Sequence, residues 1–142
     1  MTRTHGKDFP LAAAYVALGT IQLATALWMV LGPRSFFEEV GPYGFANPHY
    51  IRDVATFTAA TGGALLVAAR HASWRVPVLG TSIIQYALHT ANHIADADNA
   101  LTESLGPLNV ALLGAGLLVQ LVMLRFTLVS RRASSADARQ PL

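Results

Sequence analysis

Four long apolar stretches dominate this chain and constrain its fold. They lie at Phe9–Leu31, between Asp53 and Arg70, between Arg75 and Asp96, and between Glu103 and Arg125. A helix that crosses a bilayer needs about 20 mostly apolar residues. The 142 residues are 53% hydrophobic and only 13% charged, whereas soluble domains are about 25% charged. The sequence therefore predicts an all-α fold, an antiparallel bundle of four transmembrane helices.

Two other interpretations of the apolar stretches are weaker. A soluble helical bundle would need charged residues along the outer faces of four helices, and too few are present. A signal peptide is suggested by Arg3 and Lys7 ahead of an apolar run that contains Ala24, Thr25 and Ala26. That run continues beyond the cleavage point, which favours a membrane helix.

Local signals set the expected limits of the helices. Asn47 followed by Pro48 is typical of an N-cap and first helical residue, and Pro77 predicts a similar start for the third helix. The predicted helices are about 9–32, 48–70, 76–95 and 106–128, in one membrane domain, 1–130, followed by a disordered cytoplasmic tail, 131–142.

Small residues and amides predict how these helices pack. Ala59 and Gly63, four residues apart, are expected to let two helices approach closely. Gln22 and Gln120, near mid-membrane, are expected to form hydrogen bonds between helices.

The basic residues predict the orientation. Four spans place eight of the ten Lys and Arg residues on one side of the membrane, and only Arg34 and Arg52 on the other. Positively charged segments stay in the cytoplasm, so both termini are predicted to be cytoplasmic in a multi-pass protein of the inner membrane. Basic residues spread over helix ends in this way report topology and do not indicate binding to nucleic acid.

Ionisable residues recur at helical spacing near the outer ends of the second and third helices. His49 and Asp53 are four residues apart and share one face. The third helix carries a stripe at spacings of four, four and three: Gln85, His89, His93 and Asp96. Since a short connection makes the two helices neighbours, both faces are expected to meet in one pocket.

Imidazoles and carboxylates in one pocket predict a metal site. The expected ligands are His49, Asp53, His89 and His93, and the expected metal is Zn, Cu or Fe. Residues expected to orient these ligands or contact a substrate are Asp96, Arg52, Tyr50, Gln85 and Asn92. The chain has no cysteine and no metalloprotease HExxH motif, so thiolate chemistry and that route to peptide hydrolysis are excluded. A purely structural role is the alternative, because helix dipoles favour Asp53 and a protonated His93 where they lie.

Two segments carry a family resemblance: GPYGFANPHYIRDVATFTAATGGALLVAA and YALHTANHIADAD. They resemble a group of small four-helix bacterial membrane proteins of no established activity, and more distantly the DoxX-like membrane proteins. The resemblance covers roughly residues 30 to 125. The matching positions are Gly41, Pro42, Tyr43, His49, Arg52, Asp53, His89, His93 and Asp96. It implies the four-helix membrane fold, and the distant likeness implies a link to quinone or sulfur redox chemistry.

Four functions remain open at this point, the weakest being a small-molecule or proton pathway, for which only Gln22, Gln85 and Gln120 are available as polar residues at depth. The first is metal-dependent redox or hydrolytic chemistry on an apolar small molecule or quinone dissolved in the lipid bilayer. The second is haem binding, with His49 and either His89 or His93 as axial ligands. The third is a non-catalytic subunit, in a homo-oligomer or a larger membrane complex. The sequence identifies no catalytic residue and leaves open whether the protein is an enzyme.

Overall fold

The predicted all-helical fold is confirmed for the residues described by the computed structural model, 9–137, with side chains described from 10 to 133. These residues form five α-helices and one 3-10 turn, Ala97–Asn99, and no strand. The helices are α1 (Phe9–Leu31), α2 (Pro33–Glu39), α3 (Pro48–Arg70), α4 (Ala72–Ala95) and α5 (Leu105–Asp137). The four long helices alternate in direction, and each exceeds 20 residues, or about 30 Å.

Helix boundaries follow local signals in most places. The Asn47 side chain caps α3, its Oδ1 accepting from the backbone N–H of His49 (3.1 Å) and Tyr50 (3.3 Å), so the predicted N-cap is confirmed. Helix α1 ends at Leu31, before Pro33, which opens the short helix α2 in what was predicted to be loop.

Two boundaries differ from the sequence-based expectation. Pro77 was predicted to start the third helix, but it lies inside α4, which begins at Ala72. Pro77 is the sixth residue of α4, in its second turn, where a proline removes the one intrahelical hydrogen bond that would reach the Ser73 carbonyl. Helix α5 continues to Asp137, so the described part of the predicted tail is helical, and 138–142 lie outside the described residues.

Helices α1 and α3 pack against each other most extensively, and so do α4 and α5. The crossing of α1 and α3 is closest at Gly19 and Gly62. A Cβ on either glycine would lie 2.9 Å from the backbone oxygen of the other. Gly63, which was predicted to allow close approach, faces open space instead.

A hydrogen-bonded cluster joins all four long helices at the end where α3 turns into α4. The Tyr15 hydroxyl of α1 donates to the Arg75 backbone oxygen of α4 (3.3 Å) and shares a hydrogen bond with Thr127 Oγ1 of α5 (3.1 Å). The buried guanidinium of Arg75 donates to the Ala68 and Ala69 carbonyls at the end of α3. These carbonyls have no partner within their own helix, so Arg75 acts as a C-terminal cap.

The glycine contact yields a first prediction. Gly62→Ala forces its new methyl group against a backbone oxygen that cannot move aside, so we expect a loss of about 1–3 kcal/mol of stability. The measurement is thermal unfolding of the detergent-purified protein. Gly63→Ala is the matched control, since its methyl group meets nothing within 4 Å. Equal melting temperatures for the two variants would contradict the close crossing.

Candidate functional site

A cleft of about 190 Å³ opens at the C-terminal end of α4, at the opposite end of the bundle from the Tyr15 cluster. Its lining residues are Tyr43, His89, Asn92, His93 and Asp96. Three of these five lie on the last two turns of α4, and Asp96 is the C-cap of that helix, where the predicted stripe of polar residues ends. The volume is below the roughly 300–1,000 Å³ of pockets for drug-sized ligands, so the cleft suits an ion or a few atoms.

The two histidines of α4 are in direct contact. Their Nε2 atoms are 3.1 Å apart, and their ring centroids are separated by 4.8 Å. A spacing of four residues places both rings on one face of the helix, which makes this contact possible. The hydrogen bond requires that one Nε2 carries a proton while the other accepts it.

Tyr43 contacts His93 through the other nitrogen of the imidazole ring. The Tyr43 hydroxyl is 3.2 Å from His93 Nδ1, and the two rings meet edge to face at 5.1 Å. Sequence analysis did not include Tyr43 among the predicted site residues, although it lies in the GPY segment that carries the family resemblance. Its position depends on contacts that are distant in sequence.

The connection from α2 to α3 is tied to the segment between α4 and α5. The Leu101 backbone N–H donates to the Pro42 oxygen (2.8 Å), and Tyr43 forms a bridge with Ala100. The Asn109 side chain donates to the Val40 oxygen (2.7 Å). Gly44 follows with a φ of +63°, a conformation that glycine adopts without strain. These links bring Tyr43 over the histidine pair.

The predicted residues of α3 lie outside this cleft. His49 Nε2 pairs with Asp53 Oδ2 at 3.4 Å, and both side chains are largely exposed. Tyr50 is exposed beside His49, and Arg52 Nε donates to the Val30 oxygen of α1 at 3.5 Å. Since α3 packs mainly on α1 while α4 packs mainly on α5, the two predicted halves do not meet in one pocket.

The remaining predicted residues stay with α4. Asp96 lines the cleft, and its Oδ1 accepts from the Asn99 side chain at 3.1 Å. Asn92 also lines the cleft, whereas Gln85 lies one turn before His89 with a buried side-chain oxygen. Within the described part of the chain, no three His, Cys, Asp or Glu side chains are grouped so that they could hold one ion.

Comparison with known proteins leaves the site without a precedent. No family model, no curated protein and no solved structure matches the chain. The proposed function therefore rests on the geometry of the cleft.

A second prediction tests the role of Tyr43. Tyr43→Phe removes its hydroxyl from His93 Nδ1, and we expect a loss of about 1 kcal/mol in the free energy of unfolding. Tyr50→Phe is the control, because that ring is 66% exposed. Denaturant or thermal unfolding of both variants measures the difference. If Tyr50→Phe destabilises the protein as much as Tyr43→Phe, the contact has no specific role.

Proposed function

We propose that the protein is a four-span inner-membrane protein whose outer cleft binds a divalent transition metal ion through His89 and His93. The membrane part rests on where apolar and polar side chains lie. Two helical segments, Pro10–Leu31 and Leu105–Ala133, are long and apolar enough to cross a membrane. Only 28% and 17% of their most apolar windows are buried, so most of this surface faces outward.

Helices α3 and α4 are less apolar, but their side chains are distributed in the same way. Phe57 on α3 and Ile84 and Leu88 on α4 are 63–72% exposed. Polar side chains are buried instead, among them Thr58 on α3 and Ser82 on α4. A bundle with apolar residues outside and polar residues inside is suited to lipid and not to water. This distribution is the observation that supports four spans.

The metal-binding part rests on the spacing of the two imidazoles. Two nitrogen ligands at about 2.0–2.1 Å from a tetrahedral ion lie about 3.3 Å apart. The observed Nε2–Nε2 distance is 3.1 Å, so small ring movements would direct both nitrogens at one ion. The Tyr43 hydroxyl lies within hydrogen-bond distance of His93 Nδ1. A hydrogen bond to the ring nitrogen that does not bind the metal commonly orients a ligating histidine.

Two histidines leave most of the coordination positions to other groups. Asp96 lines the same cleft and is the candidate hydrogen-bond partner for the water that would complete the coordination. An ion held this way would supply Lewis-acid or redox chemistry at an open position. His49 and Asp53 form a separate pair and are not needed for this proposal.

The other hypotheses gain less support from the cleft. The haem hypothesis requires His49 and either His89 or His93 as axial ligands, whereas His49 lies outside the cleft and pairs with Asp53. A cleft of about 190 Å³ also lacks room for a macrocycle. Quinone chemistry, a partner subunit and membership of the small four-helix membrane group remain hypotheses for which the cleft offers no specific contact.

The third prediction concerns metal binding. Calorimetric titration with Zn²⁺ or Ni²⁺ is expected to show one ion bound per chain, more weakly at lower pH because both rings must be neutral to ligate. Either His89→Ala or His93→Ala is expected to weaken binding at least tenfold. His49→Ala, which removes the separate pair, serves as the control and should bind as the parent does. Undiminished binding by the double variant His89→Ala, His93→Ala would refute the site.

The fourth prediction concerns orientation. Because the chain has no cysteine, single cysteines report accessibility without interference. Thr102→Cys, between α4 and α5, should react with a membrane-impermeant maleimide in intact spheroplasts. Ser73→Cys, at the junction of α3 and α4, should react only after the membrane is permeabilised. The reverse pattern would place both termini outside the cytoplasm.

A further inference from the structure

Three buried side-chain oxygens in the middle of the bundle have no hydrogen-bond partner within the described chain. They are Ser82 Oγ, Gln85 Oε1 and Gln120 Oε1, and we call them the mid-bundle oxygens. Ser82 is 1% exposed and Gln120 is fully buried. Leaving a buried acceptor unsatisfied costs about 1–3 kcal/mol, so three of them together point to a bound species.

The antiparallel register of α4 and α5 places Ser82 opposite Gln120, with Gln85 less than one turn further along α4. Tyr86 of α4 lies against Gly116 of α5, where a Cβ would be 2.7 Å from the tyrosine ring. One turn further toward the cytoplasm, Ser82 therefore comes opposite Gln120. The same register continues toward the cytoplasmic end of the bundle, where Leu79 of α4 and Met123 of α5 belong to one core cluster. Gln85 follows Ser82 at a spacing of three, on the same face of α4.

The hydrogen bonds around this layer orient the amide of Gln120. Its Nε2 donates to the Gly116 carbonyl of its own helix at 3.3 Å, which turns Oε1 away as a free acceptor. The hydrogen bond between helices predicted for Gln120 is therefore wrong. The one predicted for Gln22 is confirmed, because its Nε2 donates to the Tyr86 hydroxyl of α4 at 3.1 Å.

No charged residue lies at this level. No Lys, Arg, His, Asp or Glu occurs at positions 16–27, 55–66, 79–88 or 113–124. The mid-bundle oxygens are therefore neutral acceptors, and no cationic side chain compensates them. A hard cation would occupy the lone pairs of these oxygens, and where no carboxylate is present a single charge costs less to bury than a double charge.

We propose that the mid-bundle oxygens bind a small monovalent cation, Na⁺, with water completing its coordination. Hard cations take hydroxyl and amide oxygens as ligands. A buried apolar cluster, Tyr15, Leu65, Leu79 and Met123, separates this layer from the cytoplasmic end. The outer cleft lies on the other side, and Gln85 is one turn from His89. Na⁺ thus reaches the site from the outer face.

The fifth prediction tests this site by thermal unfolding of the purified protein in detergent. At equal ionic strength, NaCl should raise the melting temperature saturably, by several degrees over N-methylglucamine chloride, because Na⁺ binds only the folded state. Gln120→Leu and Ser82→Ala should abolish this dependence. The double variant His89→Ala, His93→Ala should retain it, which separates the sodium site from the proposed metal cleft.

Direct binding of ²²Na⁺ to the unmodified protein gives a second measurement that does not depend on the variants' folding. Displaceable, saturable binding near one ion per chain supports the site. Equal melting temperatures in sodium and N-methylglucamine, or no displaceable ²²Na⁺, would show that water alone fills the layer and overturn the proposal.

Discussion

The hydroxyl of Tyr15 lies where all four long helices of this protein come together. It binds α4 through the Arg75 carbonyl and α5 through Thr127, while the Arg75 guanidinium, 5.7 Å from the tyrosine ring, closes the end of α3. Buried polar groups are costly unless they are paired, and here each partner comes from a different helix. This cluster fixes the positions of α1, α4 and α5 relative to one another along the bundle axis. The side-chain contacts further along the bundle depend on those positions.

The opposite end of the bundle is held together by hydrogen bonds to backbone carbonyls. Pro42 accepts from Leu101, and Val40 accepts from Asn109, so the two connections at this end hold each other. The result is that Tyr43 reaches His93 from a segment 50 residues earlier in the chain. The cleft is thus a product of two loops and one helix, and the histidine spacing on α4 supplies only half of it.

Both proposed ions would bind to side chains whose hydrogen-bonding capacity is not fully used within the bundle. The imidazoles of His89 and His93 share one hydrogen bond and can exchange it for an ion. Among residues 9–137, the mid-bundle oxygens have no hydrogen-bond partner and no charged residue at their level. The two sites differ in chemistry, because nitrogen ligands favour a transition metal and neutral oxygens favour a hard monovalent ion.

The sequence by itself determined the four long helices, since apolar length and the Asn47 cap act locally, but it did not indicate the short helix α2 or the start of α4 before Pro77. It also determined the contact of His89 with His93, which needs only helical spacing. The tertiary structure alone decided that His49 and Asp53 stay apart from them, because that depends on which helices pack together. It likewise decided that Gly62 and not Gly63 meets α1, and that Gln120 turns to its own helix. Rotation of a helix about its axis follows from packing with all its neighbours, and no local pattern encodes it.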